Sequence, residues 1–437
     1  MKKKANERTN KISRRDFIKT SAVVGASAAL GGTERLFAQG SDKLRVGLIG
    51  CGWRGTGAAQ DCVNSAPNME IVAMGDLFQG QVDWSLAQLS RKADDKVSVT
   101  EDTSFVGFDA YKKVIACDID MVILGTPPHF RPEHFKAAVE AGKHVFMEKP
   151  VAVDPVGIRS IISSSELAEQ KGLSIVAGTQ RRHQEHYLEI IKRIHNGDIG
   201  EIVSAQCYWN MGELWVERAE ENMQKRKALG WSDMEWQCRN WLFFTWLSGD
   251  HIVEQHVHNL DIINWAIGAH PVQAMGMGGR EVRTDPKYGN IFDHFAVEYE
   301  YPNGVRVLSM CRQTAGCHEQ VSERVVGTNG QTYTDGSNGS VEGQNAYKYE
   351  GESPNPYVQE HADLIASIRG GKPLNEGRRI AESTMTAIMG RISAYTGRAL
   401  KWDWAMNASK LDLSPPEYEF GDLPVRPAAV PGKTKLV

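Results

Sequence analysis

Arg45-Val46-Gly47-Leu48-Ile49-Gly50-Cys51-Gly52-Trp53-Arg54-Gly55 is the stretch whose reading decides the fold. An apolar run, Val46 to Ile49, passes directly into G-x-G-x-x-G. Roughly 20 residues later a second apolar run, Ile71 to Gly75, ends on Asp76. A strand feeding a glycine-rich turn that opens a helix, with an acid at the tip of the next strand, is the dinucleotide fingerprint. Gly50 permits the sharp turn, Gly52 lets a pyrophosphate approach the backbone, and Gly55 lets the helix pack closely on the sheet. The helix N-terminus offers unpaired N–H groups and a positive dipole end to the phosphates. Asp76 is expected to accept hydrogen bonds from ribose hydroxyls. Its charge repels a 2′-phosphate, so NAD is expected over NADP.

Outward from this stretch, Leu44 to about Thr179 alternates apolar strands with helical segments, as a parallel sheet demands. Ile119 to Leu124 leads into Gly125-Thr126-Pro127-Pro128-His129, and Lys143 to Met147 leads into Glu148-Lys149-Pro150. Leu173 to Gly178 leads into Thr179-Gln180-Arg181-Arg182-His183. These polar tips all fall at strand C-terminal ends, where open α/β sheets bind ligands.

The chain has 437 residues, enough for two domains with sizeable cores. It is 41% hydrophobic and 24% charged with a formal net charge of −4, a balance that gives no footing for nucleic acid. Seven cysteines without a CxxC indicate neither a disulfide framework nor a zinc knuckle. The first forty residues read as an address, not as fold. Lys2, Lys3, Lys4 and Arg8 precede Ser13-Arg14-Arg15-Asp16-Phe17-Ile18-Lys19, then a weakly apolar run from Thr20 to Gly32 and a cleavage-like Ala38-Gln39. This matches the twin-arginine export signal. The apolar run is too short and mild to span a bilayer, and no cysteine lies near the cleavage point to carry a lipid. Export to the periplasm by the Tat machinery, without a membrane anchor, is expected.

The fingerprint, the Gly-Thr-Pro-Pro-His tip and Ala141-Gly142-Lys143-His144-Val145-Phe146-Met147-Glu148-Lys149-Pro150 together resemble the Gfo/Idh/MocA oxidoreductases in order and spacing. The resemblance runs from about residue 43 to 400. It implies an α/β protein: a Rossmann-type parallel sheet, then an α/β domain with an open, mostly antiparallel sheet. The expected divisions are a signal peptide at 1–38, an NAD-binding domain at 43–180, a substrate and oligomerisation domain at 181–405, and an extended arm at 406–437. Gly50, Gly52, Trp53, Arg54, Gly55, Asp76, Thr126, Pro127, His129, Glu148 and Lys149 form the expected cofactor set. The resemblance further implies that Lys149 faces nicotinamide and substrate, and that Pro150 follows a cis bond.

In the second part, Tyr187 to Asn196 reads as a helix and Ile202 to Trp209 as a strand. Six tryptophans follow between Trp209 and Trp246, including Trp215, Trp231, Trp236 and Trp241. Asn210 to Asn240 is charged and irregular, which fits either a binding loop whose indoles stack on sugar faces or a helical hairpin using tryptophan as core filler. Val257, Leu260, Ile263 and Ile267 recur at helical spacing, so most of Gly249 to Trp265 is expected as one helix. On it Glu254, His258 and Asp261 share a face. The family pattern there resembles Asp, three residues, His, two residues, Asp, which makes His258 the catalytic histidine and Asp261 its partner, with Glu254 one methylene longer than the usual Asp. His251, Glu254 and His258 also compose a rival metal site, although no metal is expected. Asn303-Gly304 between alternating strands is a hairpin signal. His361 to Gly370 and Arg379 to Ala394 read as helices, and the proline-rich tail after Trp404 as an arm free to cross a neighbouring subunit.

The expected chemistry is hydride transfer from a secondary alcohol of a sugar, glycoside or polyol. His258 takes the hydroxyl proton, Lys149 bonds the same oxygen, and Arg181, His183, Glu254, Asp261 and Trp241 contact substrate. Export implies a cofactor loaded before translocation and then retained. A glycosidase working through a transient 3-keto sugar is the alternative, and a non-catalytic sugar-binding protein holding a structural NAD the next. A homo-oligomer, dimer or tetramer, is expected from the family.

Overall fold

The computed structural model describes residues 43–437, so the expected export signal lies outside the described residues. Local sterics build the first layer. The strands β1 (Leu44–Ile49), β2 (Met69–Asp76), β3 (Ser104–Val106), β4 (Met121–Leu124), β5 (His144–Met147) and β6 (Ile175–Ala177) form a six-stranded sheet in the order β3-β2-β1-β4-β5-β6. Every pairing in it is parallel. Helices α1 (Trp53–Ser65), α2 (Gln79–Ala93), α3 (Ala110–Ala116), α4 (Arg131–Glu140) and α5 (Pro155–Gln170) are the crossovers. The strand interiors are wholly buried, as continuous apolar runs require when helices cover both faces.

Helix α6 (Glu185–His195) leads to a nine-stranded sheet in the order β14-β13-β12-β11-β7-β10-β9-β8-β15. Its strands are β7 (Ile202–Met211), β8 (Gln273–Gly279), β9 (His294–Glu300), β10 (Arg306–Gln313), β11 (Gln320–Gly327), β12 (Gly330–Asp335), β13 (Gly339–Gly343), β14 (Tyr347–Lys348) and β15 (Leu400–Lys401). Only the β7–β10 pairing is parallel. The expected turn at Asn303-Gly304 joins β9 to β10 with both residues at positive φ, 71° and 80°, the combination a tight hairpin needs.

One open alternative closes and two expectations change. The Asn210–Asn240 segment is a helical hairpin, α7 (Val216–Leu229) and α8 (Asp233–Arg239). Trp236 and Trp246 are buried in it, Trp236 edge-on to Phe244 and the Trp246 indole N–H donating to Gln237 at 2.8 Å. The indoles therefore serve mainly as core.

The helix expected over 249–265 is broken: a single turn at His251–Glu254, then α9 (Val257–Ile267). Gln255 departs to φ −111°, ψ −51°. The tail, finally, lies on its own chain. Leu413 N donates to Asp154 at 2.8 Å, Tyr418 bonds His129 at 2.8 Å, and Phe420 stacks on Phe78 at 5.8 Å.

Helices α10 (Pro356–Arg369) and α11 (Gly377–Thr396) complete the described chain, and α11 packs on both α5 and β8. No helix among the described residues is long and apolar enough to cross a membrane.

Burial holds several histidines neutral. It lowers His129 to about 4, and His134 and His256 to about 3. The unfolded chain binds those protons near 6.5, so the associated stability is complete above about pH 6.5 and is lost as pH falls toward the folded values. Asp250, raised by burial to about 6, runs the other way with Asp76, Asp154, Glu323 and Glu360, while burial also lowers His144, His186, His251, His258 and His361. The melting temperature should therefore fall between about pH 6.5 and 4. A thermal scan across that range that stays flat would contradict this assignment.

Candidate active site

At the nucleotide end the glycine-rich turn is built by close approach. Gly50 sits at φ 93°, and a Cβ on Gly55 would lie 1.9 Å from the Gly50 carbonyl oxygen, so neither position tolerates a side chain. A Cβ on Gly52 would meet nothing within 4 Å, leaving open space beside the backbone at the uncapped start of α1. That cradle, with orphan N–H groups at its helix end, fits a pyrophosphate. Asp76 accepts from Cys51 N at 2.7 Å and Phe78 N at 3.0 Å, fixing the tip of β2 to the turn. Trp53 is 82% exposed.

Arg54 does not stand free. Its Nε donates to Glu148 at 2.7 Å and its Nη2 to Asp61 at 3.3 Å. Burial alone would lower the guanidinium, but Glu148, Glu360 and Asp61 hold it above its usual range. His129 is packed between Trp246 and Tyr418, and Thr126 gives its carbonyl to Arg131 at 2.8 Å.

The strand β5 delivers Lys149, whose peptide bond to Pro150 is cis. Its Nζ donates to the Glu254 backbone carbonyl at 2.6 Å and to Glu254 Oε1 at 3.0 Å. The broken helix makes this possible. In a continuous helix the N–H of His258 would occupy that carbonyl, but it bonds Gln255 instead, at 3.3 Å.

The His258 ring stacks on Trp209 with centroids 5.8 Å apart, is 8% exposed, and has an unpartnered Nδ1. Burial, then the charges of Lys149 and Arg181, hold it well below its usual value, so the resting imidazole is neutral. The rival metal set loses its shared helix face at the break. No group of three or more His, Cys, Asp or Glu among the described residues is placed to hold a metal ion.

Other expected contacts sit elsewhere in the network. Asp261 is bound by Arg182 Nε at 2.8 Å, Arg379 Nη1 at 3.1 Å and Ser383 Oγ at 2.7 Å. Burial would raise its carboxyl, but the two arginines hold it well below the usual range. These bonds join the turn after β6 to α9 and α11, and Asp261 makes no hydrogen bond to His258. Arg181 pairs with buried Glu323 and lies over Trp209 at 5.5 Å. His183 bonds Asp363. Trp241 meets Trp215 edge-on at 5.6 Å within the hairpin. Trp209, the first of the six tryptophans, stands in β7 and is the one that stacks on His258.

Replacing Asp261 with Asn should leave Arg182 without its carboxylate, Arg379 keeping Glu376 at 2.8 Å, and cost about 3 kcal/mol, seen as a large drop in denaturant midpoint. If stability is kept while turnover collapses, Asp261 instead acts through His258.

Comparison with known proteins now adds to the geometry. The oxidoreductase family profile with an NAD-binding Rossmann fold matches residues 44–179, the GFO/IDH/MocA C-terminal domain matches 187–333, and a twin-arginine translocation signal matches 11–31. The chain is 24% identical to 2,7-anhydro-N-acetylneuraminate hydratase of Escherichia coli K12 over 60% of its own length, spanning 59% of that relative. It is 22% identical to the NAD(+) scyllo-inositol 2-dehydrogenase of Bacillus subtilis 168, over 67% of this chain and 73% of that protein. The structure of aldose-aldose oxidoreductase from Caulobacter crescentus, complexed with glycerol, is similar with a TM-score of 0.63 at 18% identity, covering 82% of this chain and 99% of that one. Two sheets in this order, the cradle at Gly52 and matches to both halves agree: the chain belongs to the Gfo/Idh/MocA oxidoreductase family, with an NAD-binding Rossmann domain.

Proposed function

We propose that this protein is an NAD-dependent oxidoreductase that removes hydride from a secondary alcohol of a sugar, glycoside or polyol, with Lys149 and His258 as its catalytic residues. The observation that carries the reading is the junction at Glu254. It holds the Lys149 ammonium at 2.6 and 3.0 Å, one helical turn before a neutral His258.

NAD bound at Gly50 to Asp76 supplies the hydride acceptor. Neutral His258 accepts the hydroxyl proton as the C–H bond breaks. Lys149 donates to the same oxygen and stabilises its developing charge, with Glu254 fixing the ammonium in position. Trp209 offers an indole face to the ring. The scyllo-inositol and aldose activities named for two relatives support a polyol or sugar substrate.

The export signal supports a periplasmic site of action with NAD loaded beforehand and retained. A retained cofactor must be restored in place, by a second substrate or by the same one. One relative is named a hydratase, a reaction without net redox change. That observation favours keeping the second reading, glycoside cleavage through a transient 3-keto sugar. A sugar-binding protein with structural NAD would have no use for the Lys149–His258 arrangement.

Purified protein should carry bound NAD. Free sugars should raise the nicotinamide absorbance of reduced cofactor if dehydrogenation is the net reaction. Released aglycone without that change would instead establish cleavage. Lys149→Met and His258→Asn should each lower kcat about 100-fold or more, and unchanged rates in both would sink the mechanism. Because His258 stays neutral, kcat/KM should hold as pH is lowered through about 6.5.

The outer face of the large sheet supports a homo-oligomer. Met275 and Leu308 flank Glu298, and Met277 and Met310 flank Ala296 across β8, β9 and β10. Met277 is 77% and Met275 56% exposed, an apolar patch of the kind that a second copy covers. Light scattering should find a dimer or tetramer that Met277→Glu with Leu308→Glu dissociates. An unchanged mass would contradict this face.

A further inference from the structure

Gln313 donates to Gln255, the neighbour of the Glu254 that holds Lys149, and belongs to a group of buried polar residues that the proposed reaction leaves unused. Arg283, in the turn after β8, is 0% exposed, and its Nε, Nη1 and Nη2 have no hydrogen-bond partner. His251 is 1% exposed with both ring nitrogens unpartnered, and Gln313 Oε1 is in the same condition.

Backbone bonds draw these residues to one place. Asp293 Oδ2 accepts from the N–H groups of Glu281, Val282 and Arg283 at 2.6, 2.7 and 3.1 Å, and Gln313 N donates to the Asp293 carbonyl at 2.9 Å. Asp250, which precedes His251, accepts from Phe292 N at 2.8 Å. The His251 ring meets Phe295 at 5.0 Å, and the Arg283 guanidinium lies 5.5 Å from the Phe243 ring.

Of the carboxylates near Arg283, exposed Glu213 forms no ion pair with it, and Asp293 and Asp250 are already spent. Asp293 also takes His294 Nδ1 at 2.7 Å. Asp250 takes His251 N at 2.6 Å and the Tyr395 hydroxyl at 2.5 Å. Among the described residues Arg283 forms no ion pair, whereas buried charges are ordinarily paired. Buried donors without partners call for a water or an ion, and water would supply hydrogen bonds but no counter-charge.

We propose that Arg283 and His251, flanked by Gln313, form an anion-binding subsite that receives the carboxylate of an acidic sugar whose alcohol faces Lys149 and His258. Arg283 presents a fork of donors suited to a carboxylate, and neutral His251 adds one N–H. One helical turn, about 5.4 Å of rise, separates His251 from the segment that holds Lys149, a span that a sugar ring bridges. The Arg283 guanidinium lies 5.9 Å from the Tyr288 ring, in the cluster against which Leu214, Trp215 and Val216 pack. The inference rests on reading the Lys149–His258 pocket as the alcohol site.

The test is calorimetric titration of NAD-loaded protein with matched pairs: glucuronate and glucose, galacturonate and galactose, mannuronate and mannose. A parallel thermal-shift arm uses inorganic sulfate. At least one acid should bind about tenfold or more tightly than its neutral partner. Arg283→Met should remove that preference while neutral-sugar binding persists, and Arg283→Lys should keep part of it.

The proposal is overturned if no acid outbinds its partner, or if the preference survives Arg283→Met. Stabilisation by sulfate with no acid preference would also overturn it, since it marks a resident inorganic ion. Should Arg283→Met not fold, the wild-type pairs and the Arg283→Lys protein decide the matter. Binding is read without turnover, so absence of nicotinamide reduction with every sugar would count against the oxidoreductase reading alone.

Discussion

The bond from Lys149 Nζ to the Glu254 carbonyl joins residues 105 positions apart and ties the tip of β5 to the layer beneath the large sheet. It exists because the chain from Asp250 to His258 is not one helix. A helical carbonyl is normally consumed by the N–H four residues on. Here Gln255 leaves the helical ladder, the Glu254 carbonyl is released, and a cation from the other sheet takes it. Asp250 begins this departure at φ 71°, a conformation costly for a non-glycine residue and held by three hydrogen bonds to its carboxylate.

Around that bond, burial and charge sort acids that look alike in sequence. Glu254 meets one ammonium, whereas Asp261, seven residues on, meets two arginines and a serine hydroxyl. A carboxylate so bound has little capacity left for an imidazole, so His258 owes its neutrality to burial and to neighbouring cations, with Asp261 opposing them. The same logic isolates Arg283: buried Asp250 and Asp293 have accepted backbone and hydroxyl donors, and exposed Glu213 forms no ion pair with it.

Elements governed by short-range sterics were legible in advance. The G-x-G-x-x-G turn, the strand tips ending at Thr126, Lys149 and Arg181, and the Asn303-Gly304 hairpin stand where the residue types place them. The charged helix α7 stood only as one of two readings, because Val216 to Leu229 has only Ala219 and Asn222 buried and so shows little apolar periodicity. The break at Gln255 was hidden for the opposite reason. Apolar residues continue at helical spacing through it, and only Lys149, far away in the chain, makes an interrupted ladder favourable. The tail could not be placed from its prolines, since its anchors at Asp154, His129 and Phe78 are scattered through the first layer.

The sequence by itself determined the nucleotide cradle and the family, and the motifs that carry the resemblance singled out Lys149 and His258. Each follows from glycine sterics, strand periodicity or a short motif read along a few neighbouring positions. Tertiary structure decided which carboxylate serves Lys149, which one locks the layers together, and which guanidinium remains without a counter-charge. Those outcomes depend on desolvation and on charges brought together from distant segments, quantities that no local pattern contains.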